Sequence, residues 1–258
     1  MSINYILKDD SHEYKVYSFN EIIEKEKVVY FDCYNTDLTT LNLSHCPLLE
    51  VLSCVNNNLT VLDLSHCPLL YYLKCSFNNL TVLDLSHCPL LNEVRCYFNQ
   101  LTELNVSQCP LLKQLYCDNN NLKSLDLSHC PLLNEVRCYF NQLTELNVSQ
   151  CPLLDDLQCF NNQLTTLNLL HCPLLIKLYC CDNILTALDL SHCPLLEYLD
   201  CKNNKLKQII IVFEKKTALQ RDQIDNFNLT ESNCICCNKK KVINLTDKRI
   251  CSNCFTVQ

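Results

Sequence analysis

A segment of 21 residues recurs along this chain and limits its possible folds more than any other feature. The unit at residues 59–79 reads LTVLDLSHCPLLYYLKCSFNN, and near-copies follow one another without an insertion. The eight units begin at Leu38, Leu59, Leu80, Leu101, Leu122, Leu143, Leu164 and Leu185. A repeat this short and regular predicts a solenoid, because each unit can bury its apolar residues only against the units on either side.

Each unit contains two versions of the pattern L-x-x-L-x-L-x-x-N/C-x-L. In the second unit the first version consists of Leu59, Leu62, Leu64, Cys67 and Leu69, and the second of Leu70, Leu73, Cys75, Asn78 and Leu80. On these residues the chain resembles leucine-rich-repeat proteins over residues 38–205. Its short repeat looks most like those of intracellular repeat proteins of bacteria and large DNA viruses. The resemblance implies a curved solenoid with a concave sheet of short parallel strands and an irregular convex side.

Four regions follow from this register. Residues 1–37 are an N-terminal cap and half-repeat, residues 38–205 the repeats, residues 206–233 a C-terminal cap and linker, and residues 234–258 a cysteine-containing module. In the half-repeat, Phe31 and Cys33 stand in for the strand residues of a full unit. A capping box, Ser18 with Glu21, predicts a short helix through residues 22–23. Residues 209–213 predict one last strand, and residues 214–223 a polar capping segment.

Local patterns predict where each coil is strand and where it turns. The L-x-C segments, such as Leu52 with Cys54, alternate apolar with variable residues and predict the strands of the concave sheet. The L-D-L or L-N-L segments predict a shorter second strand on the opposite side. The chain has no glycine, so an asparagine three residues after each strand cysteine, as at Asn57 and Asn78, is expected to bond the turn backbone and to tolerate left-handed geometry.

Charge and cysteine content narrow the functional class. The net charge is −7, and five of the basic residues lie in residues 229–258, so the repeats carry most of the negative charge and are not expected to bind nucleic acid. The chain has 23 cysteines, most at two fixed repeat positions. The N-terminal residues lack the apolar core of a secretion signal, and no segment is long and apolar enough for a membrane span. We therefore expect packing thiols in a monomeric, intracellular protein of the cytoplasm or nucleus, in a host cell if it is viral.

A histidine or glutamine precedes the cysteine of every Cys-Pro pair, as in His66-Cys67, and raises the question of a catalytic dyad or a metal row. Adjacent residues of an extended segment point in opposite directions, so His66 is expected to face water while Cys67 faces the core. Two of the eight positions are glutamine, which disfavours a shared metal. The column is interpreted as solvated, and the protein as non-enzymatic.

The variable positions of the predicted concave strands carry a different signal. They hold eight of the twelve tyrosines, whereas the equivalent positions on the opposite side are only Asn or Asp. Tyrosine and arginine dominate protein interfaces, although tyrosine also suits strands for its β-propensity alone. We favour a partner-binding surface. Its predicted residues are Tyr72, Arg95, Tyr97, Tyr116, Arg137, Tyr139, Tyr179 and Tyr198.

Residues 83–112 are identical to residues 125–154. This identity indicates a recent duplication of a two-repeat block. We interpret it as the history of the array and assign it no function.

The C-terminal module contains two C-x-x-C pairs, Cys234 with Cys237 and Cys251 with Cys254. Four thiolates at this spacing can bind one structural zinc, with residues 238–250 as a loop held by the metal and Cys236 as an extra thiol. The segment resembles a zinc ribbon or knuckle. Reactive thiols or a tail without fixed structure are the alternatives.

Together these features predict a scaffold that binds a partner protein on the concave face of its repeats. Two alternatives use the basic zinc tail, as a nucleic-acid-associated adaptor or as an adaptor of the ubiquitin-ligase type.

Overall fold

The computed structural model describes residues 3–8, 10, 12–16, 21–22, 24–211 and 241–244. These residues wind into about nine coils with almost no helix. The strands, in chain order, are β1 (Ile3–Leu7), β2 (Glu13–Val16), β3 (Val28–Asp32), β4 (Val51–Ser53), β5 (Tyr72–Lys74), β6 (Glu93–Arg95), β7 (Gln114–Tyr116), β8 (Glu135–Arg137), β9 (Asp156–Gln158), β10 (Lys177–Tyr179), β11 (Ala187–Asp189), β12 (Tyr198–Asp200), β13 (Gln208–Ile211) and β14 (Lys241–Asn244).

Nine of these strands, β3 to β10 and β12, form one parallel ladder, which we call the main sheet. The register advances by one repeat per strand, so that Leu73 lies between Leu52 and Val94. In the three-residue strands of this sheet the middle residue is buried. Its two neighbours, which form what we call the outer face of the sheet, are mostly half-buried. The predicted parallel-strand solenoid is therefore confirmed, and Phe31 of the predicted half-repeat pairs with Leu52 of the first full unit.

The interior consists of stacked columns of leucine and cysteine that form a single core. All the cysteines in the described part of the chain are free thiols, and all but Cys181 are buried. Burial raises the pKa of Cys33 and of Cys67 to about 12, so both thiols stay protonated at neutral pH. The described cysteines thus behave as small apolar residues, as predicted.

The predicted asparagine ladder links successive coils through backbone groups. The Asn78 Nδ2 donates to the carbonyl oxygens of Cys54 and Cys75 at 2.9 and 3.1 Å, and the Asn78 Oδ1 accepts from the Leu59 N–H at 3.0 Å. The same three bonds recur in later coils, for example at Asn99. Each asparagine therefore satisfies groups that the turn would otherwise bury without a partner.

The left-handed residue of each turn is not the ladder asparagine, and this part of the prediction is wrong. It is the residue just before it, and the series is Asn35, Asn56, Phe77, Phe98, Asn119, Phe140, Asn161, Asp182 and Asn203, with φ between 49° and 57°. Asparagine and aspartate tolerate this conformation because their short side chains bond locally, but phenylalanine does not. Three turns therefore carry a residue that their backbone disfavours.

The N-terminal cap is built mainly from strands. β1 pairs antiparallel with both β2 and β3, and it buries Ile3 and Tyr5 over the first coil. The predicted helix is wrong at Ile22, which is buried in irregular structure; a short 3-10 helix follows at Lys25–Lys27. Ser18 and residue 23 lie outside the described residues.

The side opposite the main sheet is less regular than predicted. The L-D-L and L-N-L segments make isolated bridges, such as Asp84 with Asn105, and only β11 is a strand among those described. β11 pairs parallel with β13, which confirms the last strand as far as Ile211. β14 pairs antiparallel with β13 and lies inside residues 238–250, which were predicted to be a loop. Residues 214–223 and the four zinc-ligand cysteines lie outside the described residues.

Candidate functional site

The centre of the outer face is a stack of two arginines on one tyrosine. The Tyr116 ring of β7 lies between the Arg95 side chain of β6 and the Arg137 side chain of β8, with Cζ to ring-centroid distances of 5.0 and 4.8 Å. Tyr116 is only 7% exposed as a result. It was predicted to be an anchor for a partner, but the structure makes it a platform that positions the two guanidinium groups.

Glutamates hold both arginines in place. Arg95 Nε donates to Glu93, and Arg137 Nη2 donates to Glu135 Oε1 at 2.6 Å. The other oxygen of Glu135 accepts from the Tyr116 hydroxyl at 2.8 Å. Burial, followed by this hydrogen bond and the Glu135 charge, raises the pKa of Tyr116, so its hydroxyl remains a donor.

The placement of one arginine on each side of Tyr116 comes from the duplicated block. Because residues 83–112 and 125–154 are identical, the same Glu-x-Arg strand lies on each side of the intervening β7. The duplication therefore has a structural consequence that the sequence interpretation missed. It places one arginine above and one below a tyrosine that is not itself duplicated.

Two aromatic clusters lie beside this stack, where the strands enter their turns. In the first, Phe77 stacks on Phe98 at 4.7 Å between centroids, and Tyr97 meets Phe77 edge-on at 5.4 Å. In the second, Tyr139 stacks on Phe160 at 4.3 Å, and Phe140 meets both rings edge-on. The left-handed phenylalanines Phe77, Phe98 and Phe140 are between 43% and 49% exposed, so their rings present apolar surface to solvent.

A buried acid, Asp118, separates the two clusters. It is 2% exposed, and its Oδ2 accepts from Asn119 Nδ2 at 2.9 Å. Burial raises the pKa of Asp118, while hydrogen bonding to Asn119 and Tyr139 and the charge of Arg137 partly oppose this shift. Burial and the charge and hydrogen bonding of Asp118 raise the pKa of Tyr139 to about 12. Sequence reasoning did not select Asp118, although it is the one carboxylate at its column position among the nine coils.

A cavity of about 180 Å³ opens above Asp118. Its lining residues are Arg95, Tyr97, Phe98, Tyr116, Asp118, Arg137 and Tyr139. Five of the predicted partner-binding residues thus converge here. The other three do not: Tyr72 packs against Lys74, with its ring centroid 4.8 Å from the Lys74 Nζ, and Tyr179 pairs with Tyr198 at 4.5 Å between centroids, several coils away.

The histidine column is arranged as predicted. His66 and the five equivalent repeat histidines are exposed, whereas the cysteine after each of them is buried. In the part of the chain that the structure describes, no three His, Cys, Asp or Glu side chains are grouped so as to hold a metal ion. No helix among these residues is long and apolar enough to cross a membrane.

The parallel ladder of the main sheet and the asparagine ladder place this fold in the class of parallel-strand solenoids with one short strand per coil. Family models agree: the model for the Leucine Rich Repeat matches residues 58–80, 79–101 and 121–143, and a second leucine-rich-repeat model matches residues 34–49. The leucine-rich repeats predicted from the sequence are therefore confirmed. Neither of the two matched models indicates a catalytic family.

Two solved structures of repeat domains have the same fold as this chain. The functional domain of InlJ from Listeria monocytogenes, described as including a cysteine ladder, is 35% identical with a TM-score of 0.59 over 70% of this chain and 46% of that one. The leucine-rich repeat domain of APL1B is 27% identical with a TM-score of 0.61 over 69% of this chain and 55% of that one. The chain thus spans about half the length of these two structures. A search of the curated proteins found no match.

Proposed function

We propose that this chain is a non-enzymatic scaffold that binds a partner protein on the outer face of its main sheet, centred on the cavity above Asp118. Leucine-rich-repeat domains generally serve as protein-interaction scaffolds. The face was predicted to be concave, and a partner would lie across β6, β7 and β8. The free, buried thiols of the described repeats support a reducing compartment inside a cell.

The observation that carries the proposal is the stack of Arg95, Tyr116 and Arg137 between two exposed aromatic clusters. Arginine and aromatic side chains supply most hot spots of protein interfaces, especially when they are held in place before binding. High strand propensity could account for the tyrosines by themselves. It does not account for phenylalanine at the left-handed turn positions, where the backbone disfavours it.

Affinity capture from a cell extract tests this proposal. The full chain is compared with the combined variant Tyr97→Ala, Tyr116→Ala and Tyr139→Ala, after circular dichroism has verified that the variant is folded. Loss of an anchor typically costs about 2 kcal/mol of binding or more, so we expect the partner to be absent from the variant. Asp84→Asn with Asp126→Asn, on the opposite side of the coils, serves as the control. A partner retained by the folded triple variant would place the site elsewhere.

We also propose that Cys234, Cys237, Cys251 and Cys254 bind one structural zinc. The spacing of the two C-x-x-C pairs supports this assignment, and four thiolates leave no open position for catalysis. Metal analysis of reduced protein should find one zinc in the parent chain and in Cys236→Ser. It should find none in Cys237→Ser or Cys251→Ser, and a parent free of zinc after refolding with the metal would contradict the assignment.

A second candidate function is that of an adaptor for nucleic acid. It is based on the basic residues of the tail, Lys239, Lys240, Lys241, Lys248 and Arg249. Such binding would weaken steeply with salt, because it depends on release of counterions. If the triple tyrosine variant still captures the partner and Cys237→Ser does not, this second function or a ubiquitin-ligase-type adaptor would be favoured. The salt dependence would then separate the two.

A further inference from the structure

We infer that the cavity above Asp118 accepts one positively charged side chain, a lysine or an arginine, from the partner protein. This inference rests on the proposed function and adds the chemistry of the contact.

Asp118 is a buried carboxylate without a cation. Among the described residues, the only other buried polar side chains are Ser76 and members of the asparagine ladder. Asn119 and Tyr139 supply neutral hydrogen-bond donors, Arg137 acts on the carboxylate through its charge alone, and no cation in the described part of the chain comes within 4 Å of the Asp118 carboxylate. A carboxylate removed from water is unfavourable until an opposite charge is placed beside it.

The two arginines near Asp118 already have partners. Arg95 is paired with Glu93 and Arg137 with Glu135, and both are held against Tyr116. Two positive and three negative side chains therefore leave one negative charge in the site. A cation from a partner would neutralise it, whereas an acidic side chain or a phosphate would add to it.

The walls of the cavity also suit a cation. Tyr97, Phe98 and Tyr139 line it with aromatic rings, whose faces attract ammonium and guanidinium groups. The volume of about 180 Å³ is small, since pockets for small molecules typically measure about 300 Å³ or more. The space therefore matches a single side chain delivered by a larger partner.

Selection of peptides from a random twelve-residue library on the full chain tests the inference. Selected peptides are then measured against the parent, against Asp118→Asn and against Asp126→Asn. The two variants make the same chemical change within one coil, and Asp126 is exposed on the opposite side. We expect a shared lysine or arginine in the selected peptides. Asp118→Asn should weaken their binding on the order of tenfold or more, as loss of one partner of a desolvated charge pair does, and Asp126→Asn should leave it unchanged.

The outcomes separate this inference from the proposed function. Peptides that lose binding in the triple tyrosine variant but not in Asp118→Asn would overturn the cationic contact and leave the binding face in place. Peptides insensitive to both variants would contradict both. Enrichment of acidic peptides, or no enrichment of basic ones over the library, would also overturn the inference. Replacing the shared lysine or arginine by methionine should reproduce the loss seen with Asp118→Asn.

Discussion

The inside and the outer face of the same three coils, residues 93–141, follow opposite rules. Inside, each coil repeats the leucines, cysteines and asparagine of its neighbours, and the ladder asparagines bond the buried turn backbone. Outside, the middle coil, with Gln114, Tyr116 and Asp118, differs from the two identical coils on either side of it. There the chain buries the acid Asp118 and places Phe98 and Phe140 at left-handed turn positions.

This difference separates the core that stabilises the molecule from the face on which we propose that the partner binds. Repetition inside lets every coil use the same packing and the same hydrogen bonds, so the array can be extended without new adjustments. The exceptions outside are expected to lower stability locally, and two of them, Phe98 and Asp118, line the same cavity. Residues that reduce stability without an evident structural benefit are expected at functional sites.

The largest effect should come from a charge placed inside. Leu115 is fully buried in the middle of β7, so Leu115→Asp should lower the free energy of unfolding by several kcal/mol, about 4 or more. Leu111→Asp, in the same coil but 42% exposed at the wild-type residue, is the matched control and should change little. Urea denaturation followed by circular dichroism measures both. Equal midpoints would mean that Leu115 does not face the core.

A smaller loss of stability is expected when one asparagine of the ladder is replaced. Asn99→Ala removes one of the two asparagine bonds to the carbonyl oxygens of Cys75 and of Cys96, and it leaves the buried Leu80 N–H without the acceptor that Asn99 supplies. The cost should be about 2–3 kcal/mol. The exposed Asn58 offers a control, since Asn58→Ala should cost well under 1 kcal/mol. A ladder variant as stable as this control would show that the asparagines are not structural.

The core of the molecule could be predicted from the sequence because each position of the repeat has the same structural role in successive coils. Leu73, Cys75 and Asn78 recur at fixed spacing, and each such position has one role. The site was only partly readable. Arg95, Tyr97 and Tyr139 were selected by residue type, but the burial of Tyr116 depends on two arginines from neighbouring coils, which no single repeat reveals.

Two other differences have local causes. The left-handed turn residue was misplaced by one position because asparagine is common at both positions, and only backbone geometry distinguishes Asn56 from Asn57. The N-terminal helix at Ile22 was predicted from a capping pattern. Tertiary pairing with β3 instead makes the cap a sheet, since an open edge and an exposed core end must both be covered.

Two Phe→Asn substitutions are expected to change the free energy of unfolding in opposite directions, because only one of the two phenylalanines has a left-handed backbone. Phe98→Asn should raise the free energy of unfolding by up to about 1 kcal/mol, because asparagine tolerates φ near 52° and the backbone cost relieved, about 1–2 kcal/mol, exceeds the loss of stacking on Phe77. Phe160→Asn should lower it by about 1 kcal/mol, because Phe160 has ordinary geometry and loses its stacking on Tyr139. Thermal melts of both variants check the pair. A destabilised Phe98→Asn would show that its ring contributes more to folding than its backbone costs.

The smallest effect concerns pH. The folded-state pKa of Asp118 is raised by burial, so its charge opposes folding at neutral pH, and protonation relieves this as the pH falls through that pKa. Asp118→Asn should therefore be more stable than the parent at pH 7, and the gap should close in acid. For Asp126, whose pKa is lowered first by the backbone hydrogen bond from Ser128, the sign reverses: Asp126→Asn should be slightly less stable at pH 7. Thermal melts at pH 7 and at acid pH measure whether the two substitutions change stability relative to the parent in opposite directions.

Photo-crosslinking tests the central claim, that the partner binds at the exceptional outer face and not along the repetitive opposite side. The full chain carries p-benzoylphenylalanine in place of Phe98 beside the cavity or in place of Val82, which is 56% exposed next to the Asp84 bridge. Both wild-type residues are apolar and accessible, so the two positions differ mainly in the side they report. Irradiation with the captured partner should give a crosslinked product from position 98 and none from position 82. A product from position 82 alone would contradict the account.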